Sequence, residues 1–337
     1  MRICVLLSAY PAGSSPVAGH DPAYEPGHWL DGHEVETIEV HRATARAQVQ
    51  ALVGRGHDVI LNLCEGTWFE EVAGIEVVEE LERLGLPFAG TSARLYGLRK
   101  EAMKQAAVDL GVTTPAYAFV RTEADLARAL ATLRFPMIVK HFDGCASIGM
   151  TRASRVETAT ALRSQVAATW AVAEAALVEE FVDGDEYTVL VAENPDAPAA
   201  PLVMTPVRCG FPPGETFKHF DLKWHGYAGL AWQPCADPAL AAALVDATRR
   251  MFVGVDGVAW ARCDFRVDAA GRAWLLEINT TCGIFYPPGQ EGSADVILAA
   301  DPAGHRGFLE LIFASAARRQ RVRPRRRAAM VADAGMS

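Results

Sequence analysis

Residues 261–279 constrain the fold of this chain most strongly, because they predict a β-hairpin. Two runs of β-forming residues flank the sequence DAAG, which is typical of a tight turn. Because side chains alternate between the two faces of a strand, Arg262 and Asp264 share a face. Pairing across the turn adds Glu277 and Asn279 to that face, even if the register slips by two residues. The hairpin thus combines two carboxylates, an amide and a guanidinium.

This polar face has the chemistry of a site for a phosphate-bound metal. Oxygen donors on a rigid hairpin suit one or two Mg²⁺ ions that bridge to phosphates. A guanidinium, which stays charged, stabilises negative charge that develops during group transfer. For the hairpin alone, a solvated face with an ion pair is the simpler alternative, and the remaining motifs decide between the two.

The N-terminal part of the chain predicts a parallel sheet covered by helices. Strands are expected at 3–7 and 59–63, and amphipathic helices at 43–53 and 72–84. Strand, helix and strand at this spacing are typical of an α/β unit. Residues 11–32, rich in Pro, Gly, Ser and His, form a long loop of the kind that often serves a ligand.

The rest of the chain predicts α+β units. The expected strands are 117–120, 136–140, 176–181 and 187–191, and the expected helices are 98–110, 123–133, 238–252 and 303–317. We therefore expect an α/β domain at 1–95, a small α+β domain at 96–180 and a third domain at 181–317. An Arg-rich tail at 318–337 is predicted to be disordered, with binding to an anionic surface as the alternative.

Composition excludes several other classes of protein. The formal charge of −9 argues against a nucleic-acid partner, since phosphate contacts need clustered basic residues. Seven cysteines, odd in number and never spaced as CxxC, favour a reducing cytoplasm over a disulfide framework or a zinc site. No apolar run has the length of a membrane span, so no membrane partner is expected.

The hairpin resembles that of the ATP-grasp superfamily, and within it the D-alanine–D-alanine ligase-like group. Members carry an Arg-x-Asp strand followed by Glu-x-Asn-Thr-x-x-Gly, and this chain has RCD and EINTTCG at those places. The resemblance implies a three-domain fold with a Rossmann-like N-terminal domain. It also implies that Asp264, Glu277 and Asn279 bind Mg²⁺, and that Arg262 and the Gly283 backbone stabilise a tetrahedral intermediate.

Further segments match the family's nucleotide site. The segment RKEAMK at 99–104 resembles the helix with an Asp-Lys-x-x-x-Lys pattern, although Arg99 replaces the usual Asp. The segment FPMIVK resembles a strand that ends in a phosphate-binding lysine, and a small-residue loop at 144–149 follows it. The resemblance implies that Lys104 and Lys140 approach the phosphates of ATP.

The adenine and γ-phosphate contacts are implied by two other matches. LVEEFVDGDEYTV at 177–189 resembles the adenine site, which assigns Glu179, Phe181 and Val182 to adenine and Glu186 to the ribose. FKHFDLKW resembles the mobile loop whose lysine, here Lys223, contacts the γ-phosphate. Such a loop would close over the site and exclude water.

The half of the family pattern that recognises amino acids is rewritten in this chain. Ser147 can match the loop serine that orients substrates, but the tyrosine position is Trp224, which offers only an N–H donor. The N-terminal Gly-Gly-x-Ser-x-Glu stretch is absent, and 285–289 lacks the usual C-terminal serine. The candidate substrate contacts, each with an ordinary structural role as the alternative, are Glu65, Trp68, Glu70, Glu71, His219, Trp224 and Tyr286.

The sequence therefore predicts an ADP-forming, ATP-dependent carboxylate–amine ligase that works through an acyl phosphate. Its expected cofactors are ATP and one or two Mg²⁺ ions, with Mn²⁺ as an alternative, and its partners are a small-molecule acid and amine. Substrates other than D-alanine are expected, with secondary metabolism as one setting, and the resemblance suggests a homodimer. The alternatives are an ATP-grasp small-molecule kinase and a nucleotide-binding protein without turnover.

Overall fold

The computed structural model describes residues 1–11, 13–67, 70–226 and 229–334, with side chains up to residue 321. Its N-terminal part is a four-stranded parallel sheet in the order β2-β1-β3-β4. The strands are β1 (Arg2–Ser8), β2 (Glu34–Val40), β3 (Val59–Asn62) and β4 (Phe88–Ala89), and the helices are α1 (Ala45–Gln50), α2 (Ile75–Leu84) and α3 (Ala93–Tyr96). Short 3₁₀ turns lie at Pro26–Trp29 and Arg42–Thr44.

The middle of the chain forms a second sheet, which is antiparallel and has the order β5-β8-β6-β7. Its helix α5 begins at a capping box in which Thr122 and Asp125 bond each other's backbone N–H. The elements are α4 (Lys100–Asp109), β5 (Tyr117–Val120), α5 (Glu123–Thr132), β6 (Met137–His141), a 3₁₀ turn (Arg152–Ser154), β7 (Arg155–Val156), α6 (Ala159–Trp170) and β8 (Ala176–Glu180).

The third sheet has the order β12-β11-β9-β13-β14, and β10 pairs with β9. Its strands are β9 (Asp185–Ala192), β10 (Leu202–Val203), β11 (Val207–Gly210), β12 (Ala231–Pro234), β13 (Trp260–Val267) and β14 (Ala273–Asn279). The helices of this part are α7 (Phe220–Trp224), α8 (Pro238–Gly254), α9 (Ser293–Ala300) and α10 (Gly304–Ala334).

The two central strands of the N-terminal sheet, β1 and β3, are largely buried on both faces, as their apolar sequences require. Ile3 and Val5 of β1 pack in one core with Phe308 of α10, whereas Cys4 and Leu6 face the core under α1 and α2. Because α10 follows the third sheet in the chain, this core fixes the N-terminal sheet against the C-terminal part.

In the hairpin β13–β14, side chains likewise alternate between a buried face and a face toward the cavity. Cys263 and Phe265 are almost fully buried against Phe252 of α8, which leaves Arg262 and Asp264 on the opposite face. One face of the hairpin is therefore held in a core, and the other is free to line a cavity.

The predicted fold class is confirmed, and each of the three sheets lies within one of the three predicted domains. Elements that the sequence pattern did not predict include β2, α6 and α9. Helix α10 continues past the predicted boundary at 318, and Arg319 donates to the carbonyl of Phe88 at 3.0 Å. The side chains of most of the predicted tail lie outside the described residues, so its disorder and the domain limits remain predictions. Within the described part of the chain, no helix combines the length and apolar character needed to cross a membrane.

Candidate active site

A cavity of about 600 Å³ lies between the second and third sheets. Most of the residues that the sequence analysis singled out line it. They are Lys140, Ser147, Glu179, Phe181, Val182, Glu186, Lys223, Trp224, Arg262, Asp264, Glu277, Asn279, Gly283 and Tyr286. Lys104, Glu65 and His219 do not line this cavity, and Trp68 lies outside the described residues.

The four polar groups of the hairpin converge on one face, as the strand pattern predicts. Arg262 pairs with Asn279 and Asp264 with Glu277, a register two residues away from the one centred on the turn. A β-bulge between Asp264 and Phe265 accounts for one of these residues, and the turn accounts for the other because Val267 pairs with Ala273. Arg262 donates two hydrogen bonds to Asp264, at 2.9 and 2.8 Å, and Asn279 Nδ2 donates a third at 2.9 Å.

Both hairpin carboxylates are ionised despite their burial. Burial opposes ionisation of Asp264, but the adjacent Arg262 charge outweighs it and lowers the pKa of Asp264. Burial likewise opposes ionisation of Glu277, and Lys100 lowers the pKa of Glu277 well below its usual value. Two anionic carboxylates and an amide side by side are hard oxygen donors, so this set fits a divalent cation such as Mg²⁺.

Lys100 is a site residue that the sequence analysis missed. It and Lys104 lie one turn apart on α4, but only Lys100 lines the cavity, where its Nζ contacts Glu277. Lys104 is 3% exposed and is held between Glu179 and Thr114, with 2.7 Å to the Thr114 hydroxyl. The structure therefore places Lys100, rather than Lys104, at the cavity surface. The four-residue spacing in RKEAMK was the available signal, but it does not say which lysine faces inward.

Glu179 is the anion that Lys104 of α4 and Lys140 of β6 both contact. One of its oxygens contacts Lys104, and the other accepts a hydrogen bond from Lys140 at 2.5 Å. Burial raises the pKa of Glu179, but these two ammonium groups outweigh it and lower that pKa to about 2. The carboxylate therefore fixes the position of Lys140 at the cavity wall.

The opposite end of this wall carries Phe181 and Glu186. The Phe181 ring lies between two guanidinium groups, with 4.8 Å to Arg155 and 4.9 Å to Arg266. Glu186 is 2.5 Å from the Nζ of Lys218, a second cavity residue that the sequence analysis missed, and 3.7 Å from Arg266. This part of the wall therefore carries an aromatic ring and several cations, and Lys218 and Arg266 balance the negative charge of Glu186.

Two loops meet over the cavity. Ser147 donates from its hydroxyl to the Lys218 carbonyl at 3.0 Å, and Trp224 donates from Nε1 to the Ala146 carbonyl at 2.9 Å. Lys223 is enclosed beneath them, and burial, with Arg262 and Lys218 as neighbouring cations, lowers its pKa. The loop at 144–149 and the segment at 217–224 are thus joined at two points.

His219 has a structural role at the start of α7. It is 1% exposed, its Nε2 lies 3.0 Å from Glu215, and its Nδ1 accepts from the Leu222 N–H at 3.3 Å. Both ring nitrogens are therefore engaged outside the cavity.

The predicted substrate residue Glu65 lies behind the cavity in a cluster of tyrosines. Its oxygens accept from Tyr24 at 2.5 Å and from Tyr10 at 3.0 Å. Burial, followed by the nearby Asp21 charge, raises the pKa of Glu65 to about 8. Asp21 itself lines the cavity and accepts from the Tyr286 hydroxyl at 2.7 Å. Asp21, Tyr10 and Tyr24 lie in the first 32 residues, where the sequence carried no motif that could identify them.

The other two acidic candidates for substrate binding, Glu70 and Glu71, differ in burial. Glu70 is buried and accepts from the Thr67 hydroxyl at 2.6 Å and from Ser15. Glu71 is exposed. Neither lines the cavity.

Comparison with known proteins agrees with this geometry. The family model described as "D-ala D-ala ligase C-terminus" matches residues 107–286. The D-alanine–D-alanine ligase of Pseudomonas putida strain GB-1 is 32% identical over 243 residues, which cover 69% of this chain and 69% of that protein. The enzyme of the same name from Ectopseudomonas mendocina is 33% identical over 237 residues, covering 69% and 70%.

Solved structures have the same fold. The D-alanine–D-alanine ligase of Bacillus anthracis in complex with ATP superposes with a TM-score of 0.71 at 19% identity, covering 96% of this chain and 99% of that one. The D-alanine–D-alanine ligase of Coxiella burnetii gives a TM-score of 0.72 at 15% identity, with 99% of each chain covered. Cavity, motifs and relatives agree, and the chain belongs to the D-alanine–D-alanine ligase family of ATP-dependent, ADP-forming ATP-grasp ligases.

Proposed function

We propose that this protein forms an amide bond between an amino-acid-like carboxylate and an amine, through an acyl phosphate. We further propose that at least one substrate is not D-alanine. One observation carries the proposal: the hairpin groups Arg262, Asp264 and Glu277 face the same cavity as Lys140 and Lys223. Metal-binding oxygens and phosphate-binding cations around one space are what transfer of a phosphoryl group to a carboxylate requires.

The nucleotide would lie along the wall formed by β8 and the start of β9. Adenine would pack by Phe181 and Val182, and the ribose would lie near Glu186. Lys100, Lys140 and Lys223 would contact the phosphates, and Glu179 would orient rather than bind the nucleotide, because both its oxygens are already engaged by lysines. Lys104 supports Glu179 from behind.

Asp264, Glu277 and Asn279 would hold one or two Mg²⁺ ions, with Mn²⁺ as the alternative. When bound, the metal neutralises phosphate charge and aligns the γ-phosphate for transfer. The protein would supply the rest of the charge balance, because Lys100 lines the cavity beside Glu277 and would place its ammonium group near the phosphates.

Arg262 and the Gly283 N–H would stabilise the oxyanion of the tetrahedral intermediate, since both lie at the cavity surface. The two loops joined through Ser147 and Trp224 would keep water from the acyl phosphate. The main work of the protein is therefore positioning and charge stabilisation.

The proposal of a different substrate rests on the end of the cavity near Tyr286. Trp224 donates its only polar hydrogen to the loop carbonyl of Ala146, so it offers no donor to a substrate. Asp21 and Tyr286 form the wall instead, and Asp21 lies in the N-terminal residues that the family model does not match. The cytoplasmic location and the homodimer remain predictions.

A phosphate-release screen over pairs of amino acids and small carboxylic acids, D-alanine included, tests the proposal. We expect ADP and phosphate with an acid and an amine together, and mass spectrometry should show the amide. Release of AMP and pyrophosphate would contradict the acyl-phosphate route. A phosphorylated product without an amide would favour a small-molecule kinase. D-alanyl-D-alanine as the fastest product would reject the altered substrate and leave the ligase chemistry intact.

A further inference from the structure

One part of the cavity wall contains a carboxylate and a tyrosine that are 265 residues apart in the chain. Asp21 belongs to the long segment after β1, and Tyr286 follows β14. The Tyr286 hydroxyl donates to Asp21 at 2.7 Å, and both side chains line the cavity beside Lys223 and Gly283. The motifs already discussed assign no role to Asp21.

The pair lies against the backbone that the proposed mechanism uses. A Cβ built on Gly283 would come within 2.6 Å of the Tyr286 hydroxyl and 3.0 Å of the Tyr24 hydroxyl. The absence of a side chain at Gly283 therefore lets Tyr286 approach that backbone closely. Asp21 is one hydrogen bond further from Gly283 and lines the same cavity as Arg262, so an acyl carbon bound by Arg262 and Gly283 would lie near it.

Tyr286 is held in this position by contacts on its ring and its hydroxyl. Its ring packs edge-on against Tyr24, with 4.8 Å between ring centroids, and Tyr24 is anchored to Glu65 by its hydroxyl. Burial, followed by the Asp21 charge, raises the pKa of Tyr286 well above its usual value, so the tyrosine remains a donor. Because the Tyr286 hydroxyl is held in place, its hydrogen bond also holds the Asp21 carboxylate in place.

The charged groups around Asp21 leave it basic. Burial raises the pKa of Asp21, the Tyr286 hydrogen bond and the Lys223 charge oppose that rise, and Glu70 adds to it. Glu65, held by its tyrosines, faces Asp21 from behind, and the neighbouring His20 packs edge-on against His225 at 4.7 Å. A carboxylate in such surroundings gains by binding a cation or a proton.

We propose that Asp21 binds the ammonium group of the attacking substrate and accepts one proton from it, with Tyr286 as its positioning residue. This inference rests on the proposed function. The neutral nitrogen then attacks the acyl carbon and forms the C–N bond, and the C–O bond to phosphate breaks. The second proton leaves with the phosphate as hydrogen phosphate, and the proton on Asp21 passes to solvent when the amide departs.

The choice of nucleophile tests this role. An amino acid arrives as an ammonium ion and needs a proton acceptor, whereas hydroxylamine is largely uncharged at neutral pH and does not. The acceptor variant is Asp21→Asn, which keeps the shape and removes the charge. The matched control is Asp31→Asn, since Asp31 belongs to the same segment and is exposed beside Arg306. The ammonium substrate is the fastest amino acid from the phosphate-release screen.

We expect Asp21→Asn to lower kcat for the amino acid by about 10²-fold or more, the usual contribution of a general base. Hydroxamate formation from hydroxylamine should stay within about 3-fold of the wild type, and Asp31→Asn should leave both rates unchanged. Equal losses with both nucleophiles, or unimpaired amide formation, would overturn the inference. A wild type that makes neither amide nor hydroxamate would instead reject the proposed function, so the two failures are distinguishable.

The positioning role of Tyr286 has a separate readout. Asp21 must be ionised to accept a proton, so the amide rate should rise with pH through its pKa. The Tyr286 hydroxyl stabilises the ionised form, and Tyr286→Phe should therefore move this rising limb to higher pH with the hydroxamate rate little changed. The assignment would be contradicted if the amide rate of Tyr286→Phe rose at the same pH as that of the wild type. It would also be contradicted if Asp21→Asn kept the same rise with pH.

Discussion

Replacing Asp264 with asparagine should destabilise the protein far more than a change on a solvated hairpin would. Asp264 accepts from Arg262 twice, from Asn279, and from the Thr188 hydroxyl at 2.8 Å. Its side chain is 9% exposed and that of Arg262 is 17% exposed. Asp264→Asn leaves the guanidinium buried without its counter-charge, a change that costs about 3–5 kcal/mol in comparable buried pairs.

Urea unfolding without nucleotide or divalent cation, followed by tryptophan fluorescence, measures this cost as a fall in the midpoint. The double variant Arg262→Met with Asp264→Asn removes both charges and should recover most of the loss, since neutral replacement of a buried pair is often tolerated. A loss below about 1 kcal/mol in the single variant, as for an exposed ion pair, would refute the buried geometry.

Three further predictions concern turnover, nucleotide binding and pH. Glu277→Gln should lower kcat by about 10²-fold or more, because a metal-bound carboxylate contributes several kcal/mol to charge stabilisation, and an unchanged rate would exclude metal binding there. Lys100→Ala should raise KM for ATP at least about 10-fold, and it should destabilise the protein less than Lys104→Ala because its pair with Glu277 is more exposed than the pair of Lys104 with Glu179. Lys104→Ala should leave ATP binding less affected and lower the free energy of unfolding by about 3 kcal/mol, because it breaks a buried pair. The reverse pattern of losses in the two variants would show that Lys104, rather than Lys100, faces the nucleotide. Glu65→Gln should gain stability over the wild type as pH rises from about 4.5 to about 8, since the folded wild type resists ionising a carboxyl that ionises freely when unfolded. A stability difference that is flat across this range would contradict the buried, raised-pKa carboxyl.

The sequence could predict the hairpin because all its information is local. Alternation along β13 and β14 decides which side chains share a face, and a shift of register by two residues leaves that unchanged. The bulge after Asp264 could not be predicted, because it depends on how the strand packs against α8 and β9.

Other parts of the site depend on contacts between distant segments. Lys100 and Lys104 differ only in which neighbour each meets, Glu277 or Glu179, and the helix pattern alone does not distinguish them. Asp21 meets Tyr286 across 265 residues of sequence. Strand β2 was missed because it is an edge strand with mostly exposed or half-buried residues, and its apolar signal is correspondingly weak.

The central claim, that a carboxylate is activated by phosphorylation, is tested most directly by isotope transfer. The acid substrate is labelled with ¹⁸O in its carboxylate and incubated with ATP, Mg²⁺, the amine and the wild-type protein. The acyl-phosphate route predicts one ¹⁸O atom in each inorganic phosphate released, with ADP as the nucleotide product. Phosphate free of ¹⁸O, or label found in AMP, would contradict the account.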